Sequence, residues 1–171
     1  GPIFGYFDVA TFDPDRWANG YPHKAFTRAD EVDMFWGAKI VSRFTDAHIK
    51  RLVEEAKFSD PQNDRYLERV LIGRRDKIVR RNFERISPFD LPRTRGMQFC
   101  VDDLGVTGSY YKPEDSFYEM SAGSDAWWPV ENAKDGEVCV DLFDSPIPGD
   151  YMVISLRVRR THQRDFARPT E

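Results

Sequence analysis

Histidine and cysteine are scarce in this chain of 171 residues: three and two, respectively. His23, His48 and His162 stand apart from one another, and each reads as a surface or capping residue rather than a base; His48 is simply the third residue after a predicted helix cap at Thr45. Cys100 and Cys139 have neither CxxC spacing nor neighbouring histidines, so they are no metal signature. In an exported protein they could be joined, and in a reducing compartment they would be small core residues; two cysteines leave that open. A Cys100 nucleophile with a distant histidine has nothing in the sequence to support it. No GxSxG, P-loop, GxGxxG, HExxH or DxDxDG motif occurs, so no catalytic residue and no cofactor is expected from sequence. No apolar run is long enough to cross a membrane and no signal peptide is visible, so membrane insertion is not expected. The chain opens Gly1-Pro2 without Met, as if left by a tag-cleaving protease, and is expected to be part of something longer.

What is abundant is apolar and aromatic residues, 40% and 14%, enough for one ordinary domain or two small ones. The net charge of -4 hides an asymmetry. Arg65 to Arg95 hold ten basic residues against four acidic, or +6; Phe99 to Asp150 hold twelve acidic against Lys112 and Lys134, or -10. Complementarity within the molecule and solvated faces account for most such patterns. Nucleic acid is a poor partner for this chain: its overall balance is acidic, and the basic residues sit late in a long helix mixed with Asp76 and Glu84.

The longest helical signal runs from Ser59-Asp60-Pro61 to Ile86. Asp60 can accept from free first-turn amides, and Pro61 suits the first helical position. Leu67, Val70, Leu71 and Ile78 form one stripe; Val79, Phe83 and Ile86 form a second, turned by roughly a third of a revolution. Gly73 between them predicts a kink or a close packing contact. Arg74 projects onto the apolar stripe, where a buried guanidinium must be paired; Asp30, Asp33 or Asp46 are the expected partners, with an anion bound near Arg74 or Arg75 as the alternative.

Upstream, residues 1–26 read as an extended arm that lays Phe4, Phe7, Phe12 and Trp17 on another element, with turns at Asp13-Pro14 and Asn19-Gly20. Thr27-Arg28-Ala29-Asp30 resembles a capping box opening a helix to about Phe44, with Val32, Phe35, Trp36, Ile40 and Phe44 on its apolar face. Thr45 caps the next helix, whose stripe is Ile49, Leu52, Val53 and Ala56. A three-helix unit over residues 27–87 results. Ser87 to Gly96, with two prolines and a glycine, reads as the boundary.

Beyond it the period changes to β. MQFCVDDLGV, SFYEMSA, GEVCVDLF and DYMVISLRVRR are strand-like blocks separated by turn chemistry. In the last, Met152, Ile154, Leu156 and Val158 face inward, opposite Tyr151, Val153, Ser155, Arg157 and Arg159. The expectation is an α+β chain: the arm and three-helix unit, then a small antiparallel β-sandwich-like module over 88–161, immunoglobulin-like in pattern only, and a polar tail over 162–171.

Two ligand chemistries are conceivable on the β module. Tyr110-Tyr111 and Trp127-Trp128 are aromatics in loops that could stack on sugar rings, with core packing as the plain alternative. Asp102, Asp103, Asp141 and Asp144 are weak calcium candidates near strand ends.

FDPDRW at 12–17, YPHKAF at 21–26, DMFWGAKIVSRFTDAHI at 33–49, and SDPQNDRYL with LIGRRDKI up to Ile78 together resemble the C-terminal region of a family of larger uncharacterised bacterial proteins. In that family a similar FW-x-AK-x-V-x-x-FTD stretch and an RRDKI stretch precede a β-rich end, and the upstream part is distantly kinase-like. The likeness covers the first half well and the β half loosely, and departs at His23-Lys24, where the family has Asn-Pro. It implies a bacterial origin and further sequence upstream, and it transfers no catalytic residue. The leading expectation is a non-catalytic structural or protein-interaction module whose partner is the remainder of a longer chain or another protein. A carbohydrate- or calcium-binding β module, and the helical part of a kinase-like phosphotransfer enzyme with its active site upstream, are the alternatives. Cytoplasmic and exported settings both stay open.

Overall fold

The computed structural model describes residues 4, 7–18, 20–123, 125–130, 133–142 and 152–170. The chain is α+β and divides into two compact units, residues 1–82 and 83–171.

The first unit carries α1 (Lys24–Arg28), α2 (Glu31–Ser42), α3 (Asp46–Glu55) and most of α4 (Pro61–Phe83). Helix α4 begins at Pro61, with the Asp60 carboxylate accepting from the Gln62 amide at 2.8 Å. Thr45 caps α3 through a reciprocal box in which its hydroxyl accepts from the His48 amide and His48 Nδ1 accepts from the Thr45 amide. The box expected at Thr27 lies three residues later. Asp30 is the N-cap of α2 and Asp33 closes the box, while Thr27 sits inside the short α1 and donates to the His23 carbonyl. A carboxylate accepting from two amides, those of Val32 and Asp33, satisfies more of the helix end than a hydroxyl does.

The arm lies along α4. Phe4 packs edge-on to Phe58 and stacks with Tyr66. Four polar side chains on one face of α4 then bind the arm. Tyr66 donates to the Phe7 carbonyl, Arg74 Nε to the Asp8 carbonyl at 2.8 Å, Lys77 Nζ to the carbonyls of Val9, Ala10 and Phe12, and Arg81 Nε to the Asp15 carboxylate at 2.6 Å. The Arg74 guanidinium also lies over the Phe7 and Phe12 rings, 3.9 and 4.6 Å from their centroids. Gly73 provides the close approach. A Cβ there would stand 2.7 and 2.8 Å from the two methyls of Val9. Trp17, expected to dock with the other arm aromatics, is exposed, and the Asn19 half of the predicted Asn19-Gly20 turn is outside the described residues.

The second unit is a β-sandwich-like module of two antiparallel sheets. One has the order β1-β2-β6-β5 and the other β4-β3-β7, from β1 (Phe89–Arg95), β2 (Gln98–Asp103), β3 (Ser116–Ala122), β4 (Trp128–Pro129), β5 (Ala133–Lys134), β6 (Glu137–Asp141) and β7 (Ile154–Arg160). Helix α5 (Leu104–Thr107) follows β2. Phe89, Val101, Val138 and Val140 from the first sheet meet Tyr118, Leu156 and Val158 from the second to form the core. Burying aliphatic and aromatic side chains of this size contributes about 1.5–3 kcal/mol each. Asp135-Gly136 turns β5 into β6 with both residues at positive φ, 52° and 91°, as a two-residue hairpin matched to strand twist requires.

Three expectations are corrected here. Residues 89–95, read as a boundary loop, form β1; it is an edge strand whose register slips between Asp90 and Arg93, and that irregularity accommodates Pro92. The boundary between units lies at 82/83 rather than near 87, because Arg85 to Ser87 hydrogen-bond within the β module: the Ser87 hydroxyl accepts from the Val158 amide, and Arg85 and Ser87 pair with Arg168. The long helix correspondingly ends at Phe83, so Ile86 buries from an extended segment. The polar tail packs along the β7 edge: the Ala167 amide donates to the Val158 carbonyl, and Thr170 and Leu156 exchange backbone hydrogen bonds.

Cys100 and Cys139 face each other directly across β2 and β6 and form a disulfide, deciding the alternative that two cysteines alone leave open. Tyr151 and Asp144 lie outside the described residues.

Candidate functional site

Strand alternation puts Phe117, Glu119 and Ser121 of β3 opposite Arg159, Arg157 and Ser155 of β7 on the outer face of the second sheet. There the guanidiniums and rings interleave. Arg157 lies 3.9 Å from the Trp127 centroid and 4.6 Å from that of Phe166; Arg159 lies 5.6 Å from Phe166 and 4.7 Å from Phe117. Phe166 is inserted because the chain after β7 folds back along that strand. The two arginines differ in one respect. Arg157 donates through Nε and Nη2 to Glu119 Oε2 at 2.8 and 2.6 Å, whereas Arg159 has no carboxylate partner among the described residues and donates only a long bond, 3.4 Å, to the Gln163 carbonyl. Beside Arg159 opens a cleft of about 440 Å³ whose walls include Phe117, Phe166, Pro129, Glu119 and Asp135.

On the inner face of the same sheet, β7 ends in a buried charge. Arg160 and Asp103 are both fully buried and paired through two bonds, Nη1 to Oδ2 at 2.7 Å and Nη2 to Oδ1 at 2.9 Å. Asp103 Oδ2 also accepts from the Tyr118 hydroxyl and Oδ1 from the Gly105 amide, and Arg160 donates to Ser116 Oγ and lies over the Tyr111 ring. Burial would lower the Arg160 pKa, but its bonds to Asp103 win and hold it above the usual value. Burial and the adjacent carboxylate push the Tyr118 hydroxyl well above the tyrosine range, so it stays a donor. This is an anchored structural cluster.

The sequence-named candidates are scattered. Asp103 is committed to Arg160, Asp102 binds Arg93 at 2.6 Å, and Asp141 accepts from Gln98 at 2.8 Å, so none of the three is an unengaged cation ligand. Cys100, Glu137 and Cys139 bring their ligand atoms within 4.8 Å of one another, but the sulfurs are bonded together and Glu137 is bound by Arg93 and Arg95. Those bonds, that to Arg93 foremost, hold the Glu137 carboxyl below the usual range. Tyr110 and Tyr111 are buried, Tyr111 donating to Glu84 at 2.8 Å; Trp127 is half-buried against Arg157, and Trp128 is exposed. Arg74 makes the arm contacts instead of an ion pair with Asp30, Asp33 or Asp46. Its neighbour Arg75 takes Asp46 at 2.6 Å and Asp76 at 2.7 Å and donates to the Phe44 carbonyl. The site residues that sequence reasoning passed over, Arg159, Phe117 and Phe166, had one visible signal, the arginine alternation in β7; their pairing across strands had none.

Helix α2 presents a second surface. Val32, Trp36 and Ile40, four residues apart, are 48%, 65% and 42% exposed, and Phe44 just past the helix is 47% exposed. The predicted apolar face thus points to solvent, and the residue α2 buries is Ala38, on the other side. A small side chain allows a close backbone approach that the large ones would block.

No protein-family model matches this chain, and neither does any curated protein or any solved structure. Among the described residues no helix is long and apolar enough to cross a membrane.

Proposed function

We propose that this chain is a protein-interaction module whose docking surface is the apolar row Val32, Trp36, Ile40 and Phe44 of α2. The observation that carries this reading is the solvent exposure of that row. Contiguous apolar surface on a monomer marks a place where something binds. A helix displaying residues at i, i+4 and i+8 is suited to lie in an apolar groove of its partner, either a further part of a longer chain or another protein. The Cys100–Cys139 disulfide favours an oxidising setting for that encounter.

The alternatives have less behind them. A sugar platform of all four loop aromatics would need Tyr110 and Tyr111 in solvent, and an anion site at Arg74 or Arg75 would need guanidiniums not already bound by the arm, Asp46 and Asp76.

The test is the pair Trp36→Glu and Ile40→Glu. If the row is a docking surface, the double variant keeps its stability within about 0.5 kcal/mol per site, as surface changes do. It also loses the fluorescence that an added apolar dye gains on binding the wild-type chain. A loss of several kcal/mol would identify the row as core and sink the proposal.

A further inference from the structure

The cleft beside Arg159 has the chemistry of a ligand site, and its evidence is independent of the helical row. Its volume, about 440 Å³, falls in the range of small-molecule pockets. One wall is apolar, from Phe117, Phe166 and Pro129. At its edge the Arg159 guanidinium lies over the Phe117 and Phe166 rings, 4.7 and 5.6 Å from their centroids, and its fork of donors matches a flat two-oxygen acceptor. Arg157 shows how this face satisfies a guanidinium when it does so internally: Glu119 takes two of its donors. Arg159, two residues along on the same face, has nothing equivalent among the described residues.

The remaining lining narrows the anion. Glu119 and Asp135 also border the cleft, and Glu119 Oε2 alone is occupied by Arg157. Like charges brought together in an interface disfavour binding, so a dianionic phosphate meets repulsion where a single carboxylate meets less. We propose that this cleft binds a small monocarboxylate carrying an aromatic ring, with the carboxylate on the Arg159 guanidinium and the ring against Phe117, Phe166 and Pro129.

The experiment is an amide NMR titration of the intact chain with three probes that share a ring: phenylacetate, benzyl alcohol and phenylphosphonate. Phenylacetate is expected to give saturable shifts at Glu119, Gly136 and Arg159. It should bind about ten- to a hundredfold more tightly than benzyl alcohol, the range a charge-assisted hydrogen bond supplies. Arg159→Gln should remove that advantage. Ala133→Trp, at an exposed position on the cleft rim, should abolish the shifts by filling the space while leaving Arg159 in place, and it serves as the deciding variant if Arg159→Gln does not fold. Equal affinity for phenylacetate and benzyl alcohol, no saturable shift at these amides, or wild-type affinity in either variant overturns the proposal. Tighter binding of phenylphosphonate than of phenylacetate overturns the carboxylate assignment.

Discussion

Replacing Arg160 by Met tests how the β module closes. The guanidinium has no solvent exposure, and neither has Asp103, so the substitution strands a carboxylate in the protein interior rather than returning it to water. It removes two charge-assisted bonds to Asp103, one to Ser116 Oγ and the stacking over Tyr111. Asp103 keeps the Tyr118 hydroxyl and the Gly105 amide, which soften the loss without replacing a countercharge. Breaking one partner of such a buried pair costs about 3–5 kcal/mol. For a unit of this size that is a melting temperature lower by about 12–40 °C, at about 4–8 °C per kcal/mol. Arg160 Nε is already buried without a hydrogen-bond partner among the described residues, so the lower half of that range is expected. Chemical denaturation of Arg160→Met, Asp103→Asn and the double variant gives the coupling. The double should cost less than the two singles summed, since it leaves no charge stranded. A single Arg160→Met costing under about 1 kcal/mol, or strict additivity, would show that the cluster is hydrated in solution and refute the reasoning.

Reducing the Cys100–Cys139 bond, which spans 39 residues, should lower stability by about 4 kcal/mol on the loop-entropy estimate; an unchanged denaturation midpoint in reductant would contradict it. Gly73→Ala places a Cβ against the methyls of Val9, so despite its better helix propensity it should quicken proteolysis of the arm, and Val9→Ala in the same chain should restore the wild-type rate. Glu137 has its carboxyl held below the ordinary 4.5 by Arg93 and Arg95, so its contribution to stability is complete above that value and fades as the pH falls through its lowered folded value. Glu137→Gln should therefore be less stable than wild type at pH 7, with the gap closing in strong acid; a gap independent of pH would count against the pairing.

The caps and the alternation of β7 carried through, whereas the apolar periodicity of α2 faces solvent. Asp60-Pro61 and Thr45 start the helices they were expected to start, and the alternation of β7 sends Leu156 and Val158 into the core. These succeed because caps and alternation are local: a carboxylate beside free amides, or a side chain two residues along a strand, needs no distant partner to take effect. The same alternation carries Arg160 inward after Val158, and nothing local distinguishes it from Arg159, which points outward.

Composition and pattern by themselves determined that this chain is α+β, with a basic helical stretch followed by acidic antiparallel strands. Only the tertiary structure decided where each charge goes. In α4, Arg74 and Lys77 bind arm carbonyls, Arg81 binds Asp15 and Arg75 binds Asp46, and Arg93 and Arg95 close on Asp102 and Glu137. Tertiary structure likewise turned the apolar row of α2 outward, because Ala38 rather than Trp36 is the residue that α2 buries. An amphipathic pattern states that a face is apolar; whether that face meets the rest of its own chain or a partner depends on side-chain volume at the contact, which is settled only when the elements pack.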